Sequence, residues 1–173
     1  IQPQDGEGPR LRVRRRGPPV ILKVAVTGGA GYIGSHAVAE LLRLGHQVTV
    51  IDDFSAGHEA AVSKAAGLVR GDIGDLEAMT KALAGHHAVI HFAGLLSVAG
   101  SMKDPRSYFE TNLVKGMRLL DAAKAAEVKR FVFSSTCATY GPPDRVPMAE
   151  DLPQRPINPY GESKLMFEKV LQW

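Results

Sequence analysis

The strongest constraint on this chain is a glycine-rich turn, Thr27-Gly28-Gly29-Ala30-Gly31-Tyr32-Ile33-Gly34. It stands between an apolar run, Val20-Ile21-Leu22-Lys23-Val24-Ala25-Val26, and an amphipathic segment from about Tyr32 to Leu44. The run predicts a strand, and the period of the segment predicts a helix. Glycines at a strand-to-helix turn let the backbone come close to a ligand, while the helix N-terminus offers free N–H groups and positive potential. That combination suits a pyrophosphate.

Strand and helix patterns alternate along the rest of the chain. Strands are expected at Ile21 to Thr27, Gln47 to Ile51, Gly67 to Arg70, Ala88 to Ala93 and Lys129 to Ser135. Helices are expected from Asp75 to Leu83, capped by Gly74 or Asp75, and from about Pro105 to Ala126 with a smaller break near Gly116. After a proline-rich loop, Asn158 is placed to cap a last helix with Pro159 in its first turn. Such alternation is the signature of an α/β fold with a doubly wound parallel sheet, the Rossmann type. Five strands are visible and the sequence stops at Trp173 inside the last helix, so a sixth strand and a substrate-holding domain are expected to be missing. The chain taken alone is accordingly expected to turn over little substrate.

With 173 residues, 45% of them hydrophobic, the chain suits one domain with a sizeable core. Its net charge of +3 raises the question of nucleic acid, but the excess is confined to residues 1–19, with five arginines against two acids. Removing these from the totals of 21 basic and 18 acidic residues leaves 16 of each. That stretch, rich in Gly, Pro and Arg, is expected to be a disordered tail, and residues 20–173 the folded domain. It has no aromatic interleaving for RNA, no apolar core of a secretory signal, and no run in the chain approaches a membrane span. A single cysteine fits a reducing compartment, and the cytoplasm is the expected location.

Several residues carry chemistry. Asp52 ends the second strand 18 residues beyond Gly34, where a carboxylate can accept from the adenosine ribose hydroxyls and repel a 2′-phosphate. NAD is therefore expected rather than NADP, against the alternative of a surface acid that merely ends a strand. Asp72-Ile73 follows the third strand, where an adenine meets an acid and an apolar contact, and Phe92-Ala93-Gly94 ends the fourth, where small residues keep a cleft open. Tyr160 and Lys164 stand at i and i+4, on one helix face. Thr136, at the end of the fifth strand, offers a hydroxyl to the substrate oxygen that the phenol would serve, while Lys164 would hold the nicotinamide ribose and stabilise the phenolate. Cys137 has no histidine partner and is read as a small packing residue, not a nucleophile. The six histidines, His36, His46, His58, His86, His87 and His91, make no metal-ligand spacing, so no metal is expected.

In combination these motifs resemble the extended short-chain dehydrogenases/reductases, and within them the NAD-dependent epimerase/dehydratase family, over about Lys23 to Trp173. The motifs are Thr27 to Gly34, Asp52, Asp72-Ile73, His91 to Gly94, Asn112, Ser134-Ser135-Thr136 with Tyr140-Gly141, and Asn158-Pro159-Tyr160 with Lys164. By position the resemblance implies that NAD is surrounded by Gly28, Gly31, Tyr32, Ile33, Gly34, Asp52, Asp53, Phe54, Ser55, Gly57, Asp72, Ile73, Phe92, Ala93, Gly94, Leu96, Asn112, Tyr160 and Lys164. It implies Tyr160, Lys164 and Thr136 as the catalytic group, a UDP-hexose as substrate, and a homodimer for a full-length chain. The implied reaction is interconversion of UDP-glucose and UDP-galactose by transient oxidation at C4. Leu96 stands where some of these epimerases carry lysine, and Gly100 where glutamate is common. The family's dehydratases follow the threonine with Asp-Glu; here Cys137-Ala138 follows, without that acid and base. Another UDP-sugar epimerase, a reductase, and a non-catalytic NAD-binding fragment stay open as rival readings.

Overall fold

The computed structural model describes residues 20–173. The expected disordered tail lies outside the described residues. The elements are β1 (Lys23–Thr27), α1 (Tyr32–Arg43), β2 (Gln47–Asp52), β3 (Gly67–Arg70), α2 (Leu76–Leu83), β4 (Ala88–His91), α3 (Val98–Lys103), α4 (Pro105–Phe109), a π-helical turn (Glu110–Lys115), α5 (Gly116–Ala125), β5 (Arg130–Phe133) and α6 (Pro159–Gln172). The five strands pair in parallel in the order β3-β2-β1-β4-β5. The chain runs outward from β1 to β3, then crosses back to β4 on the other side of β1. That reversal leaves a crevice beyond the carboxyl ends of β1 and β4, where ligands bind in doubly wound sheets.

Alternation along the strands separates two buried layers. Ala25, Ile51 and Val89 face Met79 and Leu83 of α2 and Leu119, Ala122 and Ala123 of α5. Val24, Val26, Val48 and Val50 face Val38 of α1 on the other side. Among the described residues β5 pairs with β4 along one edge only. In register, Ile90 stands opposite Val132, which is 54% exposed on the edge.

The helices follow their local signals. α1 ends where Gly45 takes φ +83°, Asp75 accepts from Ala78 N–H at the start of α2, and Asn158 accepts from Gly161 N–H at the start of α6. Two differences from expectation stand out. The expected helix over 105–126 runs as α4, the π turn and α5, with helical backbone through Lys115 and Gly116 in place of a break. There the ring of Phe167 lies against Gly116, so close that a Cβ would stand 3.1 Å from it. The additional α3 has a sequence with glycine and serine, poor helix formers, and is started by Ser97, whose Oγ accepts from Gly100 N–H.

Two glycines of the turn are fixed by space. Gly28 has φ +70°, and a Cβ there would stand 2.5 Å from the backbone nitrogen of Ala93 beyond β4. At Gly34 a Cβ would meet the carbonyl oxygen of Gly28 at 2.1 Å. Backbone lies on both sides, so neither contact can be relieved by a rotamer change. Gly34→Ala is expected to destabilise the protein by about 1–3 kcal/mol, the usual cost of overpacking. Urea unfolding would show this as a lower midpoint at unchanged slope; a wild-type midpoint would mean that the turn has room to spare.

Candidate dinucleotide-binding and catalytic site

Beyond the carboxyl ends of the strands run two adjoining clefts of about 740 and 820 Å³, which share Gly28, Gly31, Phe92, Gly94, Leu95 and Leu96. Together they form one trough across the glycine turn. The half over β2 and β3 is lined by Asp52, Asp53, Ser55, Gly57, Asp72, Ile73 and Ala93. The half towards β5 and α6 is lined by Tyr32, Ile33, Gly34, Ser134, Ser135, Tyr160 and Lys164.

The middle of the trough fits a pyrophosphate. α1 has no side chain hydrogen-bonded at its N-cap, Gly31, and no acid in its first turn, whereas α2, α4 and α6 are capped by Asp75, Asp104 and Asn158. Its first N–H groups and the positive end of the helix therefore face the trough with no acceptor of their own. Tyr32 and Ile33 are exposed at this point, 83% and 61%, which leaves their apolar surface for a ligand to cover.

Asp52 is buried. One carboxylate oxygen accepts from Ala30 N–H and the other from Phe54 N–H, each at 2.9 Å. It thus ties the glycine turn to the end of β2, and a carboxylate with about four lone-pair sites still has two for ribose hydroxyls. Phe54, expected to surround the cofactor, adopts φ +61° and turns its ring under the guanidinium of Arg70, 4.1 Å from the centroid, so it shapes the loop without lining the trough. Asp72 accepts from Lys115 and from Gly74 N–H. Burial raises its carboxyl, but these donors outweigh it and hold the group below the ordinary value.

Lys164 is buried, with Nζ donating to the Ser134 carbonyl at 3.1 Å and lying 4.6 Å from the centroid of Phe133. Burial pushes it down to about 8. Behind it, His91 shares a 2.7 Å hydrogen bond with the Thr27 hydroxyl and is packed among Phe131, Phe133 and Phe167. Burial, then the charge of Lys164, pushes His91 down to about 3, so it is neutral at physiological pH. Phe167, one turn beyond Lys164, is fully buried and anchors α6 to β4 and β5. That anchor aims Tyr160 and Lys164 into the trough.

Two expected residues, Thr136 and Asn112, are not among those that line the two clefts. Thr136 Oγ1 accepts from Ala138 N–H at 3.1 Å at the start of a short 3-10 turn, Cys137–Thr139, which leaves its O–H free to donate. Asn112 is buried in the π turn; its carboxamide pairs with both backbone groups of Leu95 and donates to Ser163. It thereby fixes the loop after β4 to α6. Cys137 is exposed, against the expectation of a packing role, while Thr139 at the other end of the same turn is buried. Gly71, Thr111 and Lys115 also line the trough, and nothing in their local sequence marks them. Ser134 and Ser135 line it beside Lys164 and were legible only as part of a motif. Among the described residues, no helix is long and apolar enough to cross a membrane, and no group of three or more His, Cys, Asp or Glu side chains could hold a metal.

A parallel doubly wound sheet, a glycine turn at an uncapped helix and an acid closing β2 define a dinucleotide-binding protein of the Rossmann class. More narrowly, residues 24–173 match the NAD dependent epimerase/dehydratase family, and the chain belongs to it. It is 49% identical over 156 residues to a UDP-glucose 4-epimerase of Streptococcus mutans, covering 88% of this chain and 47% of that one. Its fold matches UDP-glucose 4-epimerase from Brucella ovis in complex with NAD, with a TM-score of 0.85, 41% identity, and 87% and 47% of the two chains covered. It also matches the enzyme from Thermotoga maritima with UDP-glucose, with a TM-score of 0.83, 36% identity, and 87% and 50% covered. The chain thus spans about half the length of these relatives.

The buried Lys164 has a signature in stability. Its ammonium is disfavoured in the fold, so the cost is full below about 8 and fades as pH rises towards the unfolded value near 10.5. Across that window the wild type should gain stability relative to Lys164→Met, measured by urea unfolding of both at several pH values. A difference that does not change with pH would mean that Lys164 is solvated.

Proposed function

We propose that this chain carries the cofactor-binding and proton-transfer half of an enzyme that interconverts UDP-glucose and UDP-galactose. The observation that carries the reading is the convergence on one trough of an uncapped helix N-terminus, the Asp52 carboxylate, and Tyr160 with Lys164 on one face of α6. NAD suits that trough: the pyrophosphate at the start of α1, the adenosine towards Asp52, Asp72 and Ile73, and the nicotinamide end towards Lys164. When bound, it supplies the acceptor that makes C4 of the sugar oxidisable.

Tyr160 takes the proton of the 4-hydroxyl and returns it, acting as general base and then acid. Lys164 favours the phenolate by its charge, and the neutral His91 behind it adds no competing cation. Thr136 donates its free O–H to the reacting oxygen. Reversal of the same steps on the other face of the sugar exchanges the epimers without net redox. Epimerisation is favoured over dehydration because Cys137-Ala138 offers neither acid nor base for loss of water. The sugar specificity and the homodimer expected of a full-length chain are proposed with the reading.

Titration of the folded chain with both cofactors should show NAD bound about 10-fold or more tighter than NADP, since Asp52 hydrogen-bonds a ribose and repels a phosphate; equal affinity would remove Asp52 from this role. In a chain completed to the length of its relatives, Tyr160→Phe should lower UDP-galactose turnover by roughly 100-fold or more, with NAD binding nearly intact. Wild-type turnover would assign the proton to another group, and a panel of UDP-sugars would separate this reading from other epimerases.

A further inference from the structure

α6 carries Tyr160, Lys164 and Glu168 at successive i+4 places, so the three form one stripe along the helix. Proton transfer employs the first two. Glu168 is half-buried, and each of its carboxylate oxygens has a donor: Oε1 accepts from the Ser135 hydroxyl, and Oε2 accepts from Gln154 Nε2 at 2.8 Å. Gln154 Nε2 also donates to Thr139 Oγ1 at 3.2 Å, and the Thr139 hydroxyl donates in turn to the Thr136 carbonyl at 2.9 Å. Glu168 thus ties α6 to residues on both sides of Thr136.

The segment after β5 depends on such ties. Among the described residues its last backbone bond to β4 runs from Ser134 N–H to the His91 carbonyl, at 3.1 Å. Beyond that point the backbone is extended at Thr136, with φ −151°, and then enters the 3-10 turn Cys137–Thr139. Two neighbouring turns of α6 take over where the ladder stops: Lys164 donates to the Ser134 carbonyl, and Glu168 accepts from the Ser135 hydroxyl. Consecutive residues of the segment are therefore in register with consecutive turns of the helix that bears Tyr160. Phe167 holds α6 to the sheet, but its ring meets His91, Phe131 and Phe133, which precede this segment. The Ser135 bond is made to a carboxylate, which makes it stronger than a bond between neutral groups.

We propose that Glu168 is a positioning residue: through Ser135, and through Gln154 and Thr139, it sets where the Thr136 hydroxyl stands relative to the Tyr160 phenol. The proposal rests on the reading of Thr136 and Tyr160 as groups that serve one substrate oxygen. Glu168 is not among the residues that line the trough. It can still govern the rate, because a displacement of about 1 Å at a reacting group costs turnover by about 100-fold.

The geometry is read in the chain of 173 residues by amide hydrogen exchange. In Glu168→Ala, the Ala138 N–H, which donates to Thr136 Oγ1, should exchange about 10-fold faster than in the wild type, with Val26 and Val89 in the sheet unchanged. Unchanged exchange at Ala138 would overturn the proposal. In a chain completed to the length of its relatives, Glu168→Ala should lower kcat for UDP-galactose about 10-fold or more, with KM within about twofold of the wild type. In a Thr136→Val background the same substitution should lower kcat by less than about twofold, because the group that it places is gone. Equal losses in the two backgrounds would make Glu168 a structural residue only and overturn the proposal. Glu168→Gln alone sets an amide nitrogen against the Gln154 donor; adding Gln154→Glu restores a donor to an acceptor there and should return kcat to within about threefold of the wild type. Failure of that pair to recover turnover would overturn the proposal even where the alanine variant does not fold. If the completed wild type does not turn over UDP-galactose, the functional reading fails and this proposal with it; if it does and Glu168→Ala matches it, only the role of Glu168 falls.

Discussion

Everything at this site depends on a contact between two stretches of backbone. As the chain leaves β1 it turns at Gly28 against the backbone leaving β4, with no room for a side chain between them. Because that contact involves main chain on both sides, it sets the floor of the trough at the height of the sheet, and α1 then begins directly above it. Asp52 secures the arrangement from the neighbouring strand by accepting from Ala30 N–H. A longer side chain at the floor would fill the place where the pyrophosphate is proposed to lie.

The two ends of the trough are electrically unlike. At the β3 end the charges are paired, Asp72 with Lys115, in a setting where exposure keeps the pair's worth to about 0–1 kcal/mol. At the α6 end Lys164 is buried with a carbonyl and an aromatic face but no carboxylate among its contacts. A cation in such a place is poorly satisfied in the empty protein and better satisfied when negative charge develops beside it. This asymmetry suits the proposed division of recognition at one end and chemistry at the other.

The sequence made legible what is decided locally. The strands, the Asn158 cap with Pro159 behind it, the glycine turn and the i, i+4 pair on α6 all depend on residues within a turn or two of one another. Asp52, proposed to meet the adenosine ribose, was also accessible, because strand ends in this topology point to one side of the sheet. What stayed hidden depends on distant partners. The π turn exists where Asn112 reaches Leu95 and Ser163, α3 forms against poor propensity, and Lys115 meets Asp72 across 43 positions of sequence. The placements of Thr136 and Cys137 follow from a 3-10 turn of three residues, too short to leave a period to read.

β5 has a consequence for handling the protein in solution. Among the described residues no strand pairs with the outer edge of Arg130–Phe133, and Val132 adds an apolar side chain open to water. An unpaired edge of this kind is a template for another strand. Among the described residues the open edge and the exposed Val132 lie away from the glycine turn, so a charge introduced at Val132 would disfavour strand-to-strand pairing there without touching the trough.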